Sequence, residues 1–288
     1  MTTIVDDQLY VHAHRANGQV AVITGGASGI GKETALQFAK HGAKVVIGDL
    51  DAKGAEAVVN EIRKANGDAA SIRCDVLNWD EQVALFELAL SRYGSVDIVI
   101  PNAGVSETDS VCRGELEYKD GLPVRPKLLT LHINLTAVVH TVHLGLHYMK
   151  RNRKADDWKA LVLIGSMASW IGVPSEPQYC ASKHAMLGLM RSLHPVVAKD
   201  RIRVSVIHPW FADTNIIPPE WKSMLKEFTL TPVPRIAGAI LLSATDPDWK
   251  TSGCPWVLLD GGPVLRLDRE RLNTGVYAVM NRRASGKL

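Results

Sequence analysis

Cysteine is scarce in this 288-residue chain: Cys74, Cys112, Cys180 and Cys254 are scattered, with no CxxC pair. That spacing supplies neither a disulfide framework nor a structural zinc site, and it fits reduced thiols in a reducing compartment. Aromatic residues are also few, 6% of the chain, against 46% hydrophobic residues in all. This is ordinary globular composition with enough apolar mass for a sizeable core. Charge of one sign is missing as well: 33 basic and 30 acidic residues leave +3. Nothing in that balance calls for nucleic acid or an anionic membrane as a partner. No apolar run approaches the roughly 20 residues that span a bilayer. The first residues, MTTIVDDQLY, carry acids where a secretory signal has basic and then apolar residues. The ending Ser285-Gly286-Lys287-Leu288 only loosely echoes a peroxisomal SKL, because Gly286 breaks the match. A cytoplasmic location is expected.

Strand and helix patterns alternate from residue 19 to 262. Apolar runs of strand length occur at Val20–Ile23, Lys44–Ile47, Val96–Ile100, Leu161–Ile164, Val204–Ile207 and Trp256–Leu259, with a more polar one around Ala70–Arg73. Their Val/Ile richness without strict alternation suits strands buried on both faces. Helical spacing covers Lys32–His41, Ala52–Ala65, Trp79–Tyr93, Leu128–Arg151, Tyr179–Ala198 and Arg235–Ala244. A β-α-β-α order of this kind predicts a doubly wound parallel sheet of about seven strands with helices on both faces, in one α/β domain.

Four segments fall outside the rhythm. Residues 1–18 read as a loosely attached N-terminal arm, and 263–288 as a C-terminal tail. Residues 105–127, with Gly114, Gly121, Pro123 and Pro126, and residues 209–234, with five prolines around Trp221, Met224 and Leu225, form long loops after strand ends. Ligands bind at that edge of such sheets, so both loops are candidate lids, with surface elaboration as the alternative.

Thr24-Gly25-Gly26-Ala27-Ser28-Gly29-Ile30-Gly31 follows the first strand and opens the first helix. Glycines permit a tight turn and close approach of a pyrophosphate, which the helix N-terminus attracts with free amides and its dipole. Asp49 ends the second strand, where a carboxylate accepts the ribose hydroxyls of an adenosine and repels a 2′-phosphate. Asp51 is better placed to cap the next helix. Farther on, Tyr179 and Lys183 fall four apart on one helical face. A phenol ionises near pH ~10, too high for a base at neutral pH. A fixed ammonium one turn away, with a positive nicotinamide beside it, is expected to pull that value down by roughly one to three pH units.

With Ser166 thirteen residues before Tyr179, these motifs resemble the short-chain dehydrogenase/reductase family over residues 19–262, and its TGxxxGIG signature is matched at every fixed position. The resemblance implies a Rossmann-type domain and metal-free hydride transfer to a nicotinamide. In that likeness Tyr179 is the general acid/base, Ser166 binds the substrate oxygen, and Lys183 also holds the nicotinamide ribose. Asn134 holds a water joining Lys183 to solvent, though an isolated helical Asn more often serves local backbone. Asp75 and Val76 match the adenine contact. Asn102-Ala103-Gly104 matches the NAG motif, while Pro209 and Thr214 match the segment that meets the nicotinamide amide. NADP-preferring members often carry a cation just before the second glycine of the turn or just after the second strand; here Ser28 and Leu50 stand there, so NAD is the expected cofactor.

One position departs from the pattern: Trp210 replaces a glycine, leaving the local backbone open, and Trp210 with Phe211 is expected to wall an apolar pocket. Helix detail (His143–Met149 and Gln178–His184) resembles the branch containing 15-hydroxyprostaglandin dehydrogenase and fungal alcohol dehydrogenases of secondary metabolism. That implies a bulky hydrophobic small-molecule substrate with a secondary hydroxyl, and a homodimer or homotetramer. The reductive direction uses the same site. A catalytically silent dinucleotide-binding regulator is the reading of another class. His140, His143 and His147 read as a surface or interface stripe. The basic tail, with Arg266, Arg269, Arg271, Arg282, Arg283 and Lys287, is either solvated or packed on another subunit.

Overall fold

The computed structural model describes residues 1–108, 116–151, 157–217, 225, 229–275 and 278–279. Cys112, Gly114, Pro218, Pro219, Trp221, Met224, Arg282, Arg283 and Lys287 lie outside them. The strands are β1 (Thr2–Ile4), β2 (Val20–Thr24), β3 (Lys44–Asp49), β4 (Asp68–Arg73), β5 (Ile98–Pro101), β6 (Tyr118–Lys119), β7 (Leu122–Pro123), β8 (Lys159–Ile164), β9 (Ile202–Pro209), β10 (Pro255–Leu258) and β11 (Val264–Arg266). The main sheet runs β1-β11-β10-β9-β8-β5-β2-β3-β4. From β10 to β4 every pairing is parallel, which gives the seven parallel strands the sequence predicts. β11 and β1 extend the β10 edge antiparallel, and β6 and β7 pair apart from it.

The helices are α1 (Gly29–Lys40), α2 (Ala52–Lys64), α3 (Trp79–Tyr93), α4 (Leu129–Tyr148), α5 (Pro177–Val197) and α6 (Val233–Thr245). Local chemistry fixes their ends. Asp51 accepts from the Gly54 amide at 3.0 Å to start α2. Asn78 accepts from the Asp80 and Glu81 amides to start α3, and Gly94 at φ 80° ends it. Strand residues alternate between two cores. Ala21 and Ile23 join Phe38, Ile62 and Ile240 beneath α1, α2 and α6. Val20 and Val22 join Phe86, Val142, Met186 and Met190 beneath α3, α4 and α5. Helix α4 has the length and apolar composition to cross a membrane, but Thr141, Val142, Leu144, Gly145 and Tyr148 are buried within the protein.

The first eighteen residues are not a loose arm. β1 pairs with β11, in the register Thr2↔Arg266 and Ile4↔Val264. Leu9, Ala13 and Ala16 are buried in the first core, and the Arg235 guanidinium grips Asp6 through two bonds of 2.8 Å. The same pairing makes the start of the C-terminal tail part of the sheet.

Candidate active site

Strand order reverses between β2 and β5, so the connections leaving these neighbours part in opposite directions and open a crevice at the C-terminal edge. A cavity of about 550 Å³ lies there. Of the cofactor positions read from the sequence, Gly25, Ser28, Gly29, Ile30, Asp49, Leu50, Asp75, Val76, Asn102, Ala103, Gly104, Pro209 and Thr214 all line it, as do Ser166, Tyr179 and Lys183. Gly31 and Asn134 do not.

The glycine turn explains itself at two positions. Gly25 sits at φ 69°, and a Cβ on it would stand 2.7 Å from the Ala103 Cα, so only glycine passes between the β2 and β5 loops. A Cβ on Gly31 would stand 2.0 Å from the Gly25 carbonyl oxygen; Gly31 closes the turn from behind rather than facing the cavity. Asn102 fastens the turn to the next strand by donating to the carbonyls of Thr24 (3.1 Å) and Gly25 (2.8 Å). Ser28, in the N-cap position of α1, makes no side-chain hydrogen bond to the first turn. The cradle therefore fits an anion: the N-terminal amides of α1 are not consumed by a cap, and Ser28, Gly29 and Ile30 border the cavity. At the end of β3, Asp49 accepts from the Ala27 amide and from the Asp51 amide, both at 2.9 Å. Its carboxylate is thus held beside the turn, on the cavity wall.

The candidate reacting groups come from the loop after β8 and from α5. Past the end of β8, the Ser169 hydroxyl accepts from the Ser166 amide (3.2 Å) and donates to the Lys183 carbonyl (2.7 Å), tying the serine loop to the helix. Lys183 Nζ donates to the Ile164 carbonyl at 3.1 Å and lies 5.5 Å from the centroid of the Tyr179 ring. Burial lowers the Lys183 ammonium to about 8. The protein's own groups do not lower the Tyr179 phenol. Desolvation pushes it up to about 12 and outweighs the hydrogen bond with Ser166 that pulls the other way, while Glu176 and Cys180 add to the rise. In the protein alone, Tyr179 keeps its proton.

Asn134 sits in a π-helical stretch of α4, His132–Ala137, and is buried. Its amide accepts from the Val105 N–H (2.9 Å) and donates to the Val105 carbonyl (2.7 Å). Those bonds fix the loop leaving β5, so Asn134 acts on the site through Val105 and not from the cavity wall. Trp210 needs no left-handed backbone: it is absent from the non-glycine residues at positive φ among those described. Its N–H donates to the Leu258 carbonyl at 2.8 Å, and its ring meets Phe211 edge-on at 5.2 Å. Both rings line the cavity, with Ile171, Val173, Ile216 and Ile217.

Four residues escaped the sequence reading. Glu176 and Ser106 line the cavity, and the Ser106 hydroxyl donates to Glu176 Oε1 at 2.9 Å. Glu107 Oε2 accepts from the Tyr179 amide at 2.9 Å. His208, fully buried and held neutral by burial with its value near 3, meets the Ser166 carbonyl at 3.1 Å. None of these belongs to a spaced motif. Only the position of Glu176, three before Tyr179, hinted at a site.

Residues 19–224 match the short chain dehydrogenase family. The chain is 31% identical to a cyclohexanol dehydrogenase of Acinetobacter sp. (strain SE19), over 72% of this chain and 78% of that one. It is 32% identical to the 15-hydroxyprostaglandin dehydrogenase (NAD(+)) of Mus musculus, over 70% of each. The crystal structure of a 3-ketoacyl-(acyl-carrier-protein) reductase from Brucella melitensis complexed with NADH superposes with a TM-score of 0.72 at 26% identity, covering 85% of this chain and 97% of that one. The chain belongs to the short-chain dehydrogenase/reductase family of Rossmann-fold oxidoreductases, which act on alcohols and ketones with a nicotinamide cofactor.

Proposed function

We propose that this protein is an NAD-dependent alcohol dehydrogenase oxidising a secondary hydroxyl on a bulky hydrophobic small molecule, with Tyr179 as general acid/base. One observation carries the reading. Ser166, Tyr179 and Lys183 meet where a phosphate-binding turn and an apolar wall share one cavity. The turn at Gly25–Gly31 and the Asp49 carboxylate would hold the dinucleotide, and Asp49 favours NAD because a 2′-phosphate would meet its charge. When bound, the nicotinamide accepts the hydride and, in its oxidised form, brings a positive charge.

The chain's own residues do the rest. Ser166 and Tyr179 offer two hydroxyls to the substrate oxygen. Tyr179, raised by burial, holds a proton ready to give to a ketone. To take one from an alcohol it needs added positive potential, and Lys183, 5.5 Å from the ring, supplies the protein's share while charged. Trp210, Phe211 and the neighbouring aliphatics exclude water and favour an apolar substrate body. The 3-ketoacyl reductase likeness supports running the same chemistry reductively. A homodimer or homotetramer goes with this reading, supported by the exposed Leu129 and Val139 on α4.

The test is Tyr179→Phe, assayed by NADH absorbance with hydrophobic secondary alcohols and the matching ketones. Turnover is expected to fall by roughly 10²–10⁴ while NAD affinity holds. Retained turnover overturns the assignment, and the wild-type rates in both directions decide between dehydrogenase and ketoreductase.

A further inference from the structure

We propose that Glu176 is a specificity residue that accepts a hydrogen bond from a second donor group on the substrate, a hydroxyl or an ammonium close to the reacting carbinol. The inference rests on the reading of the cavity as an alcohol site and deepens it.

Glu176 stands at the N-cap position of α5, and its side chain makes no cap bond. Glu107, reaching over from the loop after β5, takes that role by accepting from the Tyr179 amide. Glu176 is thereby released from the helix and borders the cavity. The backbone is bent to allow it, since Ser175 just before it sits at φ 70°, a conformation that costs a non-glycine residue on the order of 1 kcal/mol or more.

Glu176 is 6% exposed, and the cavity it borders is also lined by Ile171, Val173, Trp210 and Phe211. A buried carboxyl is costly unless its acceptor capacity is met. Among the described residues the Glu176 carboxyl has one hydrogen bond, from Ser106, and no ion pair. Burial raises it above the ordinary carboxylate range and the nearby Glu107 adds to the rise, against the pull of the Ser106 bond. Glu176 stands three residues before Tyr179 and lines the same cavity, on the side where a substrate oxygen would meet the phenol. The same carboxyl repels an anionic substituent there, so the site selects by attraction and by repulsion.

The test compares kcat/KM with NAD for cyclohexanol, cyclohexane-1,2-diol, 2-aminocyclohexanol and 2-hydroxycyclohexanecarboxylate in wild type, Glu176→Gln and Glu176→Leu. The preference for diol or aminocyclohexanol over cyclohexanol is expected to fall about tenfold or more in Glu176→Leu, and discrimination against the carboxylate to relax by a similar factor. Glu176→Gln separates the donors, because an amide still accepts from a hydroxyl but loses the charge that holds an ammonium. It also serves as the decisive variant if Glu176→Leu does not melt cooperatively. Ratios that are the same in wild type and both variants overturn the proposal and leave the dehydrogenase reading intact. If no probe is turned over with NAD or NADP, the dehydrogenase reading falls. Calorimetric binding of the same probes then decides for Glu176: tighter aminocyclohexanol or diol binding by wild type supports it, and equal binding overturns it.

Discussion

The Lys183 ammonium donates to the Ile164 carbonyl at 3.1 Å, and this lone main-chain acceptor at the end of β8 does not offset the burial of its charge. Lys183 falls from its ordinary 10.5 to about 8 for that reason. Below pH 8 it is protonated folded and unfolded, and the folded protein bears the full desolvation cost. Between about 8 and 10.5 the unfolded chain binds more protons, so the Lys183 contribution to stability rises with pH. Lys183→Met removes that cost. The variant should melt above wild type at pH 7, by at most about 3 kcal/mol, and the gap should close toward pH 10. The raised Tyr148 and Cys74 titrate in both proteins and cancel in the difference. Parallel melting curves across pH 7–10 would show that the buried charge costs nothing.

In the proposed function Asp49 carries the choice of cofactor, and its two main-chain bonds complicate the usual test. Asp49→Ala removes the ribose acceptor but also releases the Ala27 amide of the turn and the Asp51 amide before α2. Asp49→Asn keeps the shape and one acceptor oxygen while removing the charge. The ratio of kcat/KM for NAD over NADP should fall about tenfold or more in Asp49→Asn, equivalent to ~1.4 kcal/mol, without a large loss of NADP turnover. An unchanged ratio would assign Asp49 to holding the turn alone.

What the sequence made legible was what repeats or obeys fixed spacing. Six apolar runs and one more polar run matched seven parallel strands, the apolar ones because burial on both faces demands Val and Ile, and α3 begins and ends at Trp79 and Tyr93 as read. The glycine turn and the Tyr179–Lys183 pair were visible because their spacing is the chemistry. The π-helical turn at Asn134 was hidden, since its i→i+5 bonding leaves no composition signal. Glu176 was hidden because its role depends on Glu107, sixty-nine positions away in sequence, taking over the helix cap. The rise of the Tyr179 phenol in the protein alone was hidden for a related reason: spacing showed Lys183 one turn away, but only the packed structure shows how far the ring is desolvated.

At the opposite end of the sheet, Asp97 and Lys159 form an ion pair that is buried on both sides. Asp97 also accepts from the Val20 amide at 2.7 Å and the Ser95 hydroxyl at 2.9 Å. Asp97→Ala leaves Lys159 with only Asp157 at 3.6 Å and strands the Val20 amide. Removing one partner of such a pair costs about 3–5 kcal/mol, whereas replacing both with apolar groups is often neutral. Asp97→Ala should therefore lower the denaturation midpoint sharply, and Asp97→Leu with Lys159→Met should recover most of the loss. A double variant as unstable as the single one would place the stability in the Val20 and Ser95 bonds instead.

The N-terminal segment offers the sharpest contrast between sequence pattern and packing. Its apolar residues Ile4, Leu9, Ala13 and Ala16 follow no single period, because the chain passes from a three-residue strand through short 3-10 turns. Yet Leu9 is 1% exposed, and Leu9 and Tyr10 lie against Gly238 of α6, where a Cβ would stand 3.1 Å and 3.0 Å from their side-chain atoms. A loosely attached arm would tolerate Leu9→Ala with less than about 0.5 kcal/mol of change. A docked one loses about 2–5 kcal/mol, as buried Leu→Ala changes do. Urea denaturation of Leu9→Ala, beside Val11→Ala at a half-exposed position two residues on, measures the difference directly. The Leu9 variant should unfold at clearly lower urea and the Val11 variant near wild type. Equal midpoints for both would return the segment to the status of an unpacked arm, and the β1–β11 pairing would then contribute nothing to the stability of the sheet edge.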